Sequence, residues 1–168
     1  NEYPDFIVVG SAGAGNWANV PWLTILNPKI STSTQDGIYP GYLFFFFFSG
    51  VYLSLNQGTT NPQKMLGKLE AEKRADKISS TLRTEISGLK EWGTKEISLR
   101  ANTSLGKSYE LPNIVAKFYD AQAVPSEAEL VSDLLELMSF YKKIEPLWYS
   151  FKIEDESREV NTMANRSG

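Results

Sequence analysis

Apolar positions fall into short runs over the first 60 residues and take up helical spacing only later. Phe6–Val9 and Val20–Leu26 are brief apolar runs bounded by turn-forming residues, the pattern of strands. Tyr42–Phe48 is an unbroken apolar run containing five successive Phe, and Val51–Leu55 follows it after Ser49-Gly50. These two runs predict a buried β-hairpin. Residues 37–63 carry no charge, so the stretch must also be tested as a membrane span, which needs about 20 predominantly apolar residues. Pro40-Gly41, Ser49-Gly50 and Asn56-Gln57-Gly58 divide it into pieces far shorter than that. The hairpin is the better reading.

Asn61-Pro62 offers a cap and a first helical residue for a charged helix running to about Leu82. Its apolar positions, Met65, Leu69, Ala75, Ile78 and Leu82, keep helical spacing only loosely. Glu96–Arg100 and Ile114–Tyr119 read as further strands. Ser126 and Glu129 form a capping box just after Pro125. Val131, Leu134, Leu135, Met138 and Tyr141 then mark one face of a helix expected to end near Lys143. Residues after about Phe151 turn polar and charged. A chain of 168 residues suits one core. The expectation is one α+β domain over residues 1–147, a curved mixed β-sheet packed against two main helices. Residues 148–168 are expected as a tail or linker toward a further domain.

Composition narrows the chemistry. The chain has no His and no Cys, which removes the Ser-His-Asp triad, the imidazole base, the thiol nucleophile and the usual zinc ligand sets. No Glu-x-Lys or Asp-x-Lys occurs, so the common carboxylate pattern of a metal-dependent nuclease is missing. The Gly-rich segment Gly10–Asn16 lacks the Gly-Lys-Ser/Thr ending of a phosphate-binding loop. No catalytic residue, metal or cofactor is expected. Absence of Cys fits a reducing compartment, and a cytoplasmic location is expected. Net charge is −3 but uneven: residues 61–118 hold eleven Lys and Arg against seven acids. A basic middle between acidic ends can present the local positive face that a phosphate backbone requires. Trp17, Trp22, Tyr39 and Tyr42 stand near loops or strand ends, where a ring serves either as core or as a stacking surface.

The segment Gly15-Asn16-Trp17-Ala18-Asn19-Val20-Pro21-Trp22, continuing to Leu26, resembles the N-terminal DNA-binding domain of McrB-type, modification-dependent restriction systems. So do Asp36-Gly37-Ile38-Tyr39-Pro40 through Leu43, Val51–Thr59, Leu105-Gly106-Lys107-Ser108-Tyr109, Ile114–Tyr119 and Pro125–Lys143. Their joint order and spacing cover roughly residues 5 to 145.

The resemblance implies a module that binds duplex DNA with a methylated base, 5-methylcytosine foremost, and flips that base into a pocket. Trp22, Tyr39 and Leu43 match pocket-wall positions, and Leu105 falls where an aromatic can close the pocket. Ala14 stands where an aromatic can fill the gap left by the flipped base, with Asn16 or Trp17 as substitutes. Arg100, Lys107 and Ser108, next to Tyr109, are candidate backbone contacts. The resemblance also implies an AAA+ GTPase domain in the same full-length chain and a separate nuclease subunit, with no membrane involved. A protein-interaction or targeting domain using the same aromatic surface is the alternative. A small enzyme working through carboxylates ranks below both.

Overall fold

The computed structural model describes residues 3, 5–12, 20–45, 48–99 and 109–166 of the chain. Strands β1 (Ile7–Ser11), β2 (Trp22–Leu26), β3 (Ile38–Phe44), β4 (Gly50–Gln57) and β5 (Val115–Asp120) lie side by side in chain order. Helices α1 (Thr60–Leu66), α2 (Lys68–Glu85) and α3 (Leu89–Trp92) come between β4 and β5, and α4 (Glu127–Arg166) follows β5. The expected α+β domain is present. Its sheet, however, is antiparallel at every described pairing rather than mixed. The links between β1, β2, β3 and β4 are too short for the long crossover that a parallel pair needs, whereas β4 and β5 pair antiparallel although three helices come between them.

Alternation along the strands gives the sheet two unlike faces. Ile38, Tyr42, Val51, Leu53, Leu55 and Val115 point to one of them and pack with Ile78 and Leu82 of α2 and Leu137, Tyr141 and Ile144 of α4. The charge-free stretch 37–63 thus becomes the central strand pair of the sheet. Pro40 is tolerated inside β3 because of where its missing N–H would point. The Phe44 N–H donates to the Pro21 carbonyl oxygen at 3.0 Å, so by alternation the Pro40 nitrogen also faces β2. Registered pairing with β2 stops at Thr24 and Gly41, one residue short of Pro40.

The Phe run ends as strand earlier than its apolarity suggests. Phe44 is the last β3 residue in register with β4, opposite Val51. Phe45 donates its N–H to Gly50, and the Phe48 N–H turns back to the Phe45 carbonyl oxygen. Phe48 takes φ 55°, a left-handed conformation that ends strand geometry there. The predicted Glu96–Arg100 strand does not form over its described part, 96–99. Side chains take up backbone groups there instead: the Glu110 carboxylate accepts the Leu99 N–H at 2.7 Å.

The helix predicted from Asn61 to Leu82 is two helices. Gly67, at φ 80°, separates α1 from α2, which accounts for the loose spacing and leaves Met65 and Leu69 exposed. The capping at Ser126 is as expected, with its Oγ accepting the Glu129 N–H at 3.3 Å. The end near Lys143 is not. Helix α4 runs 40 residues to Arg166, through Pro146, a length of about 60 Å. Its buried stripe is Leu137, Met138, Tyr141, Ile144, Trp148 and Phe151. Val131 and Leu135, expected on that stripe, are exposed. The helix continues because Trp148 and Phe151 belong to the core and because Arg74 grips Asp155. Arg74 Nε and Nη2 reach the Asp155 carboxylate at 2.9 and 2.6 Å, with Arg74 only 9% exposed. Residues 148–155, expected within a tail, therefore pack against the domain.

The two neighbouring ion pairs of this region should differ in worth. Asp155→Ala leaves a buried guanidinium without its partner and should cost about 3 kcal/mol, the low end for such an orphaned charge. Glu154 and Lys77 form an exposed pair at 2.7 Å, so Glu154→Ala should cost less than about 1 kcal/mol. Urea unfolding of both variants makes the comparison, and equal losses would contradict the assignment.

Candidate functional site

The second face of the sheet carries the alternate residues of the same strands. The register aligns Ser11, Trp22, Leu43, Tyr52 and Phe118 into one cross-strand row over all five strands. Beside it runs a row of shorter side chains: Val9, Thr24, Gly41, Ser54 and Ala116. Opposed residues on one face stand about 5 Å apart at Cβ, so the first row is continuous across the sheet, while Thr24, Ser54 and Ala116 of the second row are buried. Gly41 belongs to this arrangement, because a Cβ there would come within 2.6 Å of the Leu23 carbonyl oxygen. β2 and β3 approach that closely only over glycine.

Trp22 and Leu43, expected on one site, are direct cross-strand partners. Leu43 is buried with Val20 and Leu99, and Trp22, Tyr52, Ile97 and Tyr109 pack against them. Trp22 and Tyr109 thus lie against the same three buried side chains. Burial raises the Tyr109 pKa above the ordinary tyrosine range, and the Trp22 donor opposes that rise by stabilising the phenolate. Tyr39 lies on the same face, opposite Asn56. It is 3% exposed, and its hydroxyl donates to the Thr34 carbonyl oxygen at 2.9 Å. Burial, then the Tyr109 phenol and the Asp36 carboxylate, drive its pKa well up. Tyr39 is therefore a neutral ring with a tethered end. The structure brings Trp22, Leu43 and Tyr109 into one cluster, with Tyr39 electrostatically coupled to it.

A buried polar network fixes the backbone on either side of residues 100–108. Ser54 Oγ donates to Asn113 Oδ1 at 2.7 Å, and Asn113 Nδ2 donates to the carbonyl oxygens of Lys95 (2.6 Å) and Thr94 (3.2 Å). Asn56 Nδ2 donates to the Tyr109 carbonyl oxygen at 3.0 Å. The Tyr52 hydroxyl lies 3.4 Å from both the Ser98 N–H and its carbonyl oxygen. Asn56 and Asn113 are fully buried polar groups, placed where an apolar side chain would take these donors from the Tyr109 and Lys95 carbonyls.

Arg100, Leu105, Lys107 and Ser108 lie outside the described residues, as do Ala14, Asn16 and Trp17. Their described neighbours border the site: Ser11 stands in the cross-strand row, and Val20, Leu99 and Tyr109 in the cluster. Tyr52, Asn56, Leu99 and Asn113 were not anticipated. The signal for the first two was polar residues at period two, Tyr52, Ser54 and Asn56, inside an otherwise apolar strand. Among the described residues no group of three or more acidic side chains could hold a metal ion. Nor is any helix there long and apolar enough to cross a membrane.

A family model described as "MrcB-like, N-terminal domain" matches residues 1–146. This is the family that the sequence motifs resemble. No curated protein and no solved structure matches the chain.

Two outcomes follow from this geometry. Asn113→Ala removes the side-chain donor to the Lys95 carbonyl and one of two donors to the Thr94 carbonyl, and should lower stability by about 1–3 kcal/mol. It should also speed amide exchange at Lys95–Leu99 relative to α4, and unchanged exchange there would show the network is not what holds the segment. Trp22→Phe removes the donor to Tyr109, so the Tyr109 phenol should ionise at higher pH than in the parent chain. A carbon NMR titration of ring-labelled tyrosine reads this, and a downward shift would refute that role of the indole.

Proposed function

Because this chain belongs to the MrcB-like N-terminal domain family, we propose that it reads a methylated base in duplex DNA by taking that base out of the stack. Family membership fits a DNA-recognition role in a restriction system. The base class is 5-methylcytosine, and no chemistry is performed on it by this chain. An AAA+ GTPase domain and a separate nuclease subunit would supply the motor and the cut.

The observation that carries this reading is the register pairing of Trp22 with Leu43, with Tyr109 packed in the same cluster. Extracting a base costs a few kcal/mol of stacking and pairing, which ring and apolar walls must offset. Trp22 is half-buried whereas Tyr39 is covered, so we assign the stacking contact to Trp22 and the back wall to Tyr39 and Leu43. Leu105 is assigned the closing side. Arg100, Lys107 and Ser108, on the segment whose ends the asparagine network fixes, are assigned to the phosphates. Ala14, Asn16 and Trp17 are assigned to the β1–β2 connection that meets the duplex where the base has left. An acidic chain binds DNA in this arrangement through a local basic segment rather than through net charge.

Stacking on one ring is worth about 1–3 kcal/mol per base. Trp22→Ala should therefore weaken binding to the modified duplex roughly ten- to a hundredfold while unmodified duplex changes little. If Trp22 were merely core, its removal would open a cavity, and both affinities would fall together with the melting temperature. Affinities for both duplexes and thermal stability are measured side by side. A folded Trp22→Ala chain that keeps its full preference for modified DNA would sink the pocket. Affinity for the modified duplex should also fall steeply with salt, by counterion release. A flat salt response would favour a protein-binding surface instead.

A further inference from the structure

The cross-strand row does not stop at the pocket. Past Leu43 it continues through Tyr52 to Phe118 on the edge strand β5, on the same face of the sheet. The Phe118 ring is 46% exposed. It is nonetheless held in place from three sides. Its centroid lies 5.0 Å from Tyr52 and 5.8 Å from Phe45, and its ring tip occupies the space that a Cβ on Gly50 would take. Tyr52 is fixed in turn through its hydroxyl at Ser98. The ring is thus fixed by its neighbours while part of its apolar area remains in contact with water. Loss of side-chain freedom, the usual cost of stacking a ligand on a ring, is already met before anything binds.

We propose that Phe118 is a second stacking platform, for an unpaired nucleobase flanking the modified one in the same DNA. The inference rests on the pocket reading above. Continuity argues for a nucleobase rather than a protein side chain. The platform shares a face and a register row with Trp22, and Ser98, held at the neighbouring Tyr52, lies two residues before Arg100 in the chain. Three strand spacings separate Trp22 from Phe118, roughly 14 Å. DNA advances about 3.4 Å per base along one strand, so the second base lies about four positions from the first, fewer where the backbone is stretched. A base cannot reach Phe118 while paired. The platform therefore favours DNA already opened around the modified base, and it selects by the ring face, not by base identity.

The test is a set of coupling measurements on the intact chain. The probe is a duplex with one 5-methylcytosine and mismatched pairs over the five positions on each side. An abasic site is walked through those positions one at a time. At one position, expected three to five steps from the modified base, the abasic site should weaken binding about tenfold. Phe118→Ala should weaken binding to the unbroken probe by about the same factor, and the two changes together should cost no more than either alone. Phe118→Tyr should keep full affinity. Phe118→Leu, which still covers Gly50, should behave like Phe118→Ala in binding while keeping the melting temperature of the parent. Additive losses at every position would overturn the platform. So would Phe118→Leu binding like the parent, which would leave Phe118 as a cover for Gly50. Failure of the pocket reading looks different: Trp22→Ala would then keep the preference for 5-methylcytosine whatever Phe118 does.

Discussion

A slip of β3 by one residue against its neighbours would exchange the two faces of the sheet. Ile38, Pro40 and Tyr42 would turn away from the helices, and Tyr39 and Leu43 would be driven into them. Everything else in the molecule depends on that slip not occurring. The register is held at several points: by Gly41, where β2 comes too near for any side chain; by the turn that closes at Phe45 and Gly50; and by Gln57. The Gln57 amide donates to the Ala75 carbonyl oxygen and to Ser79 Oγ, each at 3.0 Å. Gln57 is the last residue of β4, and these bonds tie it to the middle of α2. A shift of β4 by one residue would bury that amide without acceptors, at a cost of several kcal/mol.

The two faces then diverge in chemistry. One is a conventional core of aliphatic and aromatic side chains. The other combines rings with buried amides, and the amides serve the backbone that borders residues 100–108. The division lets the helix-packed face carry the stability of the domain while the opposite face varies in its accessible side chains. It also explains why a half-buried Trp and a covered Tyr can stand on the same surface. Their neighbours across the sheet and their tethers decide their exposure, not their apolarity.

Much of this fold was legible along the chain. Short apolar runs and turn residues located β2, β4 and β5, and the capping box located the start of α4. Boundaries were less so, for identifiable reasons. Five successive Phe carry no periodicity, so nothing in their apolarity tells where the strand ends and the turn begins. Gly67 breaks a helix whose flanking residues are all competent helix formers. Trp148, Phe151 and Asp155 sit among charged residues, and their roles come from partners some 70 or more positions away in sequence, Arg74 above all. As for the site, Trp22, Tyr39 and Leu43 were named from motifs, whereas Tyr52, Asn56, Asn113 and Phe118 were not. Their significance lies in cross-strand register, which a single strand's sequence does not display.

Helix α4 has a mechanical consequence. Arg74 holds it at Asp155, and it continues as helix for eleven residues more to Arg166. At 1.5 Å per residue that is a further beam of about 16 Å, clamped at its root by a bidentate guanidinium and by two aromatic rings. A beam so clamped converts a tilt of the whole sheet into a sideways sweep of its tip, and it does so without any change inside the domain. A rigid-body tilt of the sheet thus reaches Arg166 as displacement and not as a rearranged fold.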